Sequence, residues 1–154
     1  MEENLIKNMA FCTDFSETAD LTFLMAKDLA WRYGATLHIV HVMVAFSLSP
    51  TSELQVPIEF DPRFVERAAD AARESIESRY VSQLKQKQPH TIHLLSGYPA
   101  TEIVQLAKDQ SLDLIVMGSH GLTGLAHVIF GSTADRVVRK APCSVLTVRM
   151  RKDK

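Results

Sequence analysis

Apolar and polar positions along this chain follow two rhythms that take turns, one strand-like and one close to a period of four. Leu5 to Cys12 is a short, mostly apolar run closed by Thr13-Asp14, which predicts a first strand. Leu21, Leu24, Met25, Ala26 and Leu29 then recur at helical spacing, and Gly34 follows where a helix commonly stops. Thr36 to Val44 (TLHIVHVMV) is dense in β-branched residues and predicts a second strand. From Phe64 onward Val65, Ala69, Ala72, Ile76, Tyr80 and Leu84 predict one long amphipathic helix. Thr91 to Leu95 is a short third strand. Pro99 sits where the first turn of a helix tolerates it, with Ile103, Val104 and Ala107 on the apolar face. Leu112 to Met117 (LDLIVM) is a fourth strand, apolar enough to be covered on both sides. A last helix runs from Ser132 to Arg139, Pro142 forbids its continuation, and Ser144 to Arg149 (SVLTVR) is a fifth strand.

Strands alternating with helices imply an α/β fold, a parallel sheet with helices laid on both faces by right-handed crossovers. Residues 1–154 suit a single domain with a core of ordinary size. The irregular stretch 45–62, with Pro50, Pro57 and Pro62, is too long for a plain connection and too early to be a domain linker. A formal net charge of -1 argues against a general nucleic-acid binder. Cys12 and Cys143 cannot build a disulfide framework, which fits a reducing compartment. No apolar run reaches the length of a membrane span, and Met1-Glu2-Glu3-Asn4 is not the start of a signal peptide. The expectation is a cytoplasmic protein.

Four of the six glycines, Gly118, Gly121, Gly124 and Gly131, cluster just after the fourth strand. Glycines there let backbone N–H groups approach a ligand, and Ser132 and Thr133 open a helix whose N-terminus favours anions. Turns and a tight helix–sheet contact would account for the same glycines equally well. There is no GxxxxGK[ST], and no G-x-G-x-x-G follows the first strand, which removes P-loop and dinucleotide-binding readings. Asp14 follows the first strand and Ser16 can cap the next helix, a common arrangement in its own right. If the first and fourth strands are neighbours, Asp14 and Gly118 line one crevice. An acid beside a phosphate cradle then suits a ribose hydroxyl.

Gly118-Ser119-His120-Gly121, nine residues and Gly131-Ser132 fit G-x2-G-x9-G-[ST] without a gap. With TDFSE at Thr13 to Glu17 and GSTADRVVRKAPCSVLTV at Gly131 to Val148, the chain resembles the universal stress protein family over nearly its whole length. The resemblance implies a Rossmann-like, five-stranded parallel sheet of order 3-2-1-4-5 with ATP between the first and fourth strands. It implies that Asp14, with Thr13 beside it, meets the ribose and that Val42 and Met117 flank the adenine. Gly118, Gly121, Gly131, Ser132 and Thr133 would hold the ribose and phosphates, with or without Mg2+. Many members have Pro-Thr-Asp where this chain has Cys12-Thr13-Asp14. The family also forms homodimers through the last strand, here Val145, Leu146 and Val148.

His120 lies in the glycine loop, where a cation-capable side chain suits phosphates. His38 and His41, and likewise His90 and His93, are three apart on a strand and point to opposite faces, so neither pair can share a metal. No catalytic dyad or metal cluster stands out, so the expected function is a homodimeric, ATP-binding stress sensor or adaptor. Hydrolysis would be slow at most, and an unknown protein partner is implied. Two alternatives remain: a phosphotransferase or self-phosphorylating protein with Ser119, Ser132 or Thr133 as acceptor, and a member that works through protein contacts alone.

Overall fold

The computed structural model describes residues 4–44, 62–120 and 131–150. Five strands, β1 (Asn8–Cys12), β2 (Thr36–Val44), β3 (His90–Gly97), β4 (Leu114–Gly118) and β5 (Ser144–Val148), form one sheet of order β3-β2-β1-β4-β5. Every pairing is parallel. Four helices, α1 (Glu17–Tyr33), α2 (Pro62–Arg79), α3 (Pro99–Asp109) and α4 (Ser132–Lys140), complete the strand–helix alternation. The α/β reading and the strand order expected from the resemblance both hold.

Strand pleating divides the core into two layers. Met9, Phe11, Leu37, Ile39, Leu114 and Val116 point to one face, where α1 supplies Phe23, Ala26 and Ala30, α2 supplies Ile76, and Tyr80, the residue after α2, adds its ring. Ala10, Cys12, Val40, Ile115 and Met117 point to the other, against Ile103, Leu106 and Ala107 of α3 and Ala134 and Val137 of α4. Burial on both faces is why β1 and β4 read as continuous apolar runs.

Element boundaries differ from the sequence reading by a few residues. β4 runs Leu114–Gly118 rather than from Leu112, α4 ends at Lys140 and β5 at Val148. Three further shifts have a local reason. β1 starts at Asn8, because the Asp113 carboxylate accepts the N–H groups of Lys7 and Asn8 and fixes the entry; Leu5 is 89% exposed. β3 extends from His90 to Gly97, since it pairs with β2 over Leu37 to Val44. The long helix ends at Arg79, and Val81–Gln83 forms a 3-10 turn, so Tyr80 and Leu84 are not on a continuing α-helix.

The buried face of α1 also differs. Ala19, Thr22, Phe23, Ala26 and Ala30 face the sheet, whereas Leu21, Leu24 and Met25 are exposed. Small residues let this helix lie close to β4, where a Cβ on Gly118 would come within 2.9 Å of Thr18 Cγ2. The helix ends as expected at Gly34, whose φ of 63° is the left-handed cap that glycine adopts without strain.

Candidate functional site

From β1 the chain moves to β2 and β3 on one side, and to β4 and β5 on the other. β1 and β4 are neighbours whose next strands lie on opposite sides of the sheet, and a crevice opens at their carboxyl ends. It encloses about 360 Å³, within the range of small-molecule sites. Thr13, Asp14, Val42, Met117, Gly118, His120, Gly131, Ser132 and Thr133 all line it. Gly121, the remaining member of the expected set, lies outside the described residues.

The two helix starts at this crevice differ. Ser16 caps α1, its hydroxyl accepting the Ala19 N–H at 3.2 Å, and Asp14 Oδ1 accepts the Ser16 N–H at 3.0 Å. Asp14 thus braces the cap without being it. The N-cap of α4 is Gly131, which has no side chain to offer; the Gly131 N–H donates to the Ser119 carbonyl at 2.7 Å. Gly131 has a φ of -66°, so its backbone conformation is open to any residue. It lines the crevice together with Ser132 and Thr133 of the first turn. The positive end of the α4 dipole meets the same region.

Gly118 serves two walls at once. It lines the crevice, yet the space its missing Cβ leaves is filled from the α1 side by Thr18 and Thr22. The tight helix–sheet contact considered for these glycines is thus present at this one. Thr13 is buried, and its hydroxyl is engaged by the Phe15 N–H at 3.0 Å and by the Tyr80 hydroxyl at 2.8 Å.

His41, Pro99 and Ile103 line the crevice without having been anticipated there, and Ser119, named only as a possible acceptor, lines it too. His41 donates its Nδ1–H to the Thr13 carbonyl at 2.9 Å and packs 4.5 Å from the Phe15 ring. Pro99 and Ile103 of α3 add apolar wall near Val42 and Met117. Ser119 is buried with its hydroxyl 3.0 Å from His120 Nδ1, a Ser–His contact that sequence neighbours do not guarantee. Cys12 also lines the crevice; burial raises its thiol pKa to about 12, so it stays neutral.

Away from the crevice, His38 Nδ1 lies 2.9 Å from His93 Nε2, with the rings nearly parallel. Pairs on one strand point apart as expected, but adjacent strands join one histidine from each. Burial lowers both pKa values, and the neighbouring ring lowers His38 further. Among the described residues no three His, Cys, Asp or Glu side chains converge on a metal-sized space. No described helix is long and apolar enough to cross a membrane.

A parallel sheet of this order, with its crevice at the switch point, defines a doubly wound α/β protein. The pattern describing the universal stress protein family matches residues 6–149, and the chain belongs to that family. Universal stress protein MJ0531 of Methanocaldococcus jannaschii is 33% identical over 150 residues, covering 96% of this chain and 84% of the relative. The solved structure of MJ0577 from the same organism superposes with a TM-score of 0.82 at 27% identity, covering 97% of this chain and 99% of that one. A universal stress protein solved in complex with cAMP has a TM-score of 0.65 at 20% identity, covering 94% and 97% of the two chains, and supports the fold.

Proposed function

We propose that this protein binds ATP in the crevice between β1 and β4 and acts as a homodimeric stress-response sensor or adaptor, with slow hydrolysis at most. The observation that carries the reading is the convergence of Asp14 from one strand end and the uncapped start of α4 from the other. A carboxylate suits ribose hydroxyls, a helix N-terminus suits phosphates, and Val42, Met117 and Ile103 offer apolar surface to a base. The cAMP held by a structural neighbour is consistent with a nucleotide ligand for this fold. Mg2+ would arrive on the phosphates, since the described residues build no separate cage for it.

Calorimetric titration with ATP, with and without Mg2+, tests the reading. Asp14→Ala removes a charge-assisted hydrogen bond and should weaken binding about tenfold to a hundredfold. Gly131→Lys should abolish it by filling the space beside the α4 start. Wild-type protein that binds neither ATP nor AMP, and carries no nucleotide through purification, would refute the assignment.

One contact favours Ser119 among acceptors for the self-phosphorylation reading. Its hydroxyl could pass a proton to His120 Nδ1 as Oγ bonds to the γ-phosphorus and the bond to ADP breaks. Intact-mass analysis after ATP incubation should then show one added phosphoryl group in wild type and none in Ser119→Ala.

The dimer would form along β5, the sheet edge. The Val148 carbonyl accepts from Ser119 N–H, so alternation turns the backbone groups of Val145 and Thr147 outward. Two copies pairing edge to edge would satisfy them. Leu146 and Val148 both pack on the α1 face, so charging either one disturbs the core. Thr147→Pro is the cleaner probe, because it removes an outward N–H without breaking the β4 pairing. Light scattering should find a wild-type dimer and a largely monomeric variant; a monomeric wild type at tens of micromolar ends the proposal.

A further inference from the structure

Phe15 sits between Asp14 and Ser16 with φ at 62°, a conformation that a bulky side chain rarely adopts. Such a residue persists only where its surroundings over-determine it. Here they do so from both ends of the peptide and from the ring. The Phe15 N–H donates to Thr13 Oγ1 at 3.0 Å, and its carbonyl accepts from Arg79 Nη2 at 3.1 Å. The Arg79 guanidinium lies 5.5 Å from the centre of the Phe15 ring, and the Tyr80 ring runs parallel to it within 5°.

The hydrogen bonds form a closed ring in which two donor paths, one from Phe15 N–H and one from Arg79, converge on Asp20. A carboxylate can only accept, so the Tyr80 hydroxyl donates to Asp20 Oδ1 at 2.8 Å. Its oxygen must then accept from the Thr13 hydroxyl at 2.8 Å, which in turn accepts from Phe15 N–H. Arg79 binds Asp20 Oδ2 and the Phe15 carbonyl, closing the loop back to the strained residue. Bonds aligned in this way polarise one another, and the Tyr80 ring is 1% exposed.

We propose that Arg79 and Tyr80, which do not line the crevice, are positioning residues for nucleotide binding. They hold Phe15 in its left-handed conformation, and that conformation presents the Asp14 carboxylate to the ligand. The inference rests on the ATP reading above. It assigns part of the site to the end of α2, a helix that contributes no lining residue of its own.

The test compares Tyr80→Phe, Arg79→Met and Arg79→Lys with wild type, using ATP titration, melting temperature and amide hydrogen exchange at Phe15. Leu106→Ala, in the opposite core layer, serves as a control for general destabilisation. Tyr80→Phe and Arg79→Met should each weaken ATP binding about three- to twentyfold and speed Phe15 exchange, as loss of one or two hydrogen bonds implies. Arg79→Lys, keeping the charge, should recover part of the affinity. Wild-type affinity in both Tyr80→Phe and Arg79→Met overturns the proposal. So does an equal loss in Leu106→Ala, which would make the effect one of stability alone. If wild type itself binds no ATP, the nucleotide reading has failed and the positioning role falls with it; accelerated Phe15 exchange would still distinguish an intact clamp from an absent one.

Discussion

Adding one methyl group to Gly118 tests how closely α1 lies on the sheet. Gly118 is in a strand and shows no left-handed φ, so alanine is conformationally acceptable there. Its Cβ, however, would stand 2.9 Å from Thr18 Cγ2, 3.2 Å from the His120 carbonyl oxygen and 3.6 Å from Thr22 Oγ1. Thr18 is on a helix and His120 O is backbone, so neither can yield cheaply. Overpacking of this kind costs about 1–3 kcal/mol. The entropy saved by replacing a strand glycine offsets roughly 0.5–1 kcal/mol of that. A net loss of about 1–2 kcal/mol lowers the melting temperature of a chain this size by about 3–8 °C. Thr18→Ser deletes the clashing methyl and keeps the hydroxyl that donates to Met150 Sδ. Gly118→Ala/Thr18→Ser should therefore regain most of the loss, a coupling measured by a double-mutant cycle in urea. An unchanged midpoint in Gly118→Ala, or additive single effects, would refute the close-contact argument.

Ser16→Ala removes the α1 cap and should cost about 1 kcal/mol, read as a shift in the urea midpoint; an unshifted midpoint dismisses the cap. His38 and His93 have lowered pKa values, so between those values and the unfolded value near 6.5 the unfolded chain binds more protons. Their contribution is fully present above about pH 6.5 and falls away as the pH drops through the folded values; a His38→Gln/His93→Gln variant should flatten that acid slope, and an unaltered slope excludes the pair. Cys12, with a thiol pKa of about 12, should resist iodoacetamide at pH 7.5 until denaturant is added, whereas half-buried Cys143 reacts sooner; rapid labelling of native Cys12 contradicts its burial.

Fold class was legible because a parallel sheet covered on both faces leaves near-continuous apolar strands, and those runs survive any uncertainty at their ends. Helix faces were harder. Leu21, Leu24 and Met25 look like the buried stripe of α1, yet the alanines beside them are inside. Hydrophobic size points inward only when the neighbouring layer has room, and a helix lying against a strand glycine has none. Strand ends depend on contacts between distant residues, such as Asp113 with the N–H groups of Lys7 and Asn8, which no local pattern reveals. The same holds for the His38–His93 contact, whose partners are 55 residues apart.

The crevice lining was legible for a different reason. Parallel α/β topology delivers every strand's carboxyl end to one side of the sheet, so residues just after β1 and β4 must meet once those strands are neighbours. Glycine spacing and an acidic residue at those two ends are enough to point there. What supports the lining obeys no such rule. Tyr80 was read as one more apolar position in a long helix, since its ring is indeed buried; the hydroxyl that joins Thr13 to Asp20 leaves no periodic trace. Arg79 has no place in the apolar pattern that marks the helix. Their connection to the crevice shows only through Phe15, an ordinary aromatic in sequence and an unusual one in backbone conformation. A positive φ at a bulky residue signals that other groups are holding it, and here those groups come from a helix more than sixty residues away. The residues behind a crevice lining are thus the part least constrained by topology, and the part for which the backbone must be seen.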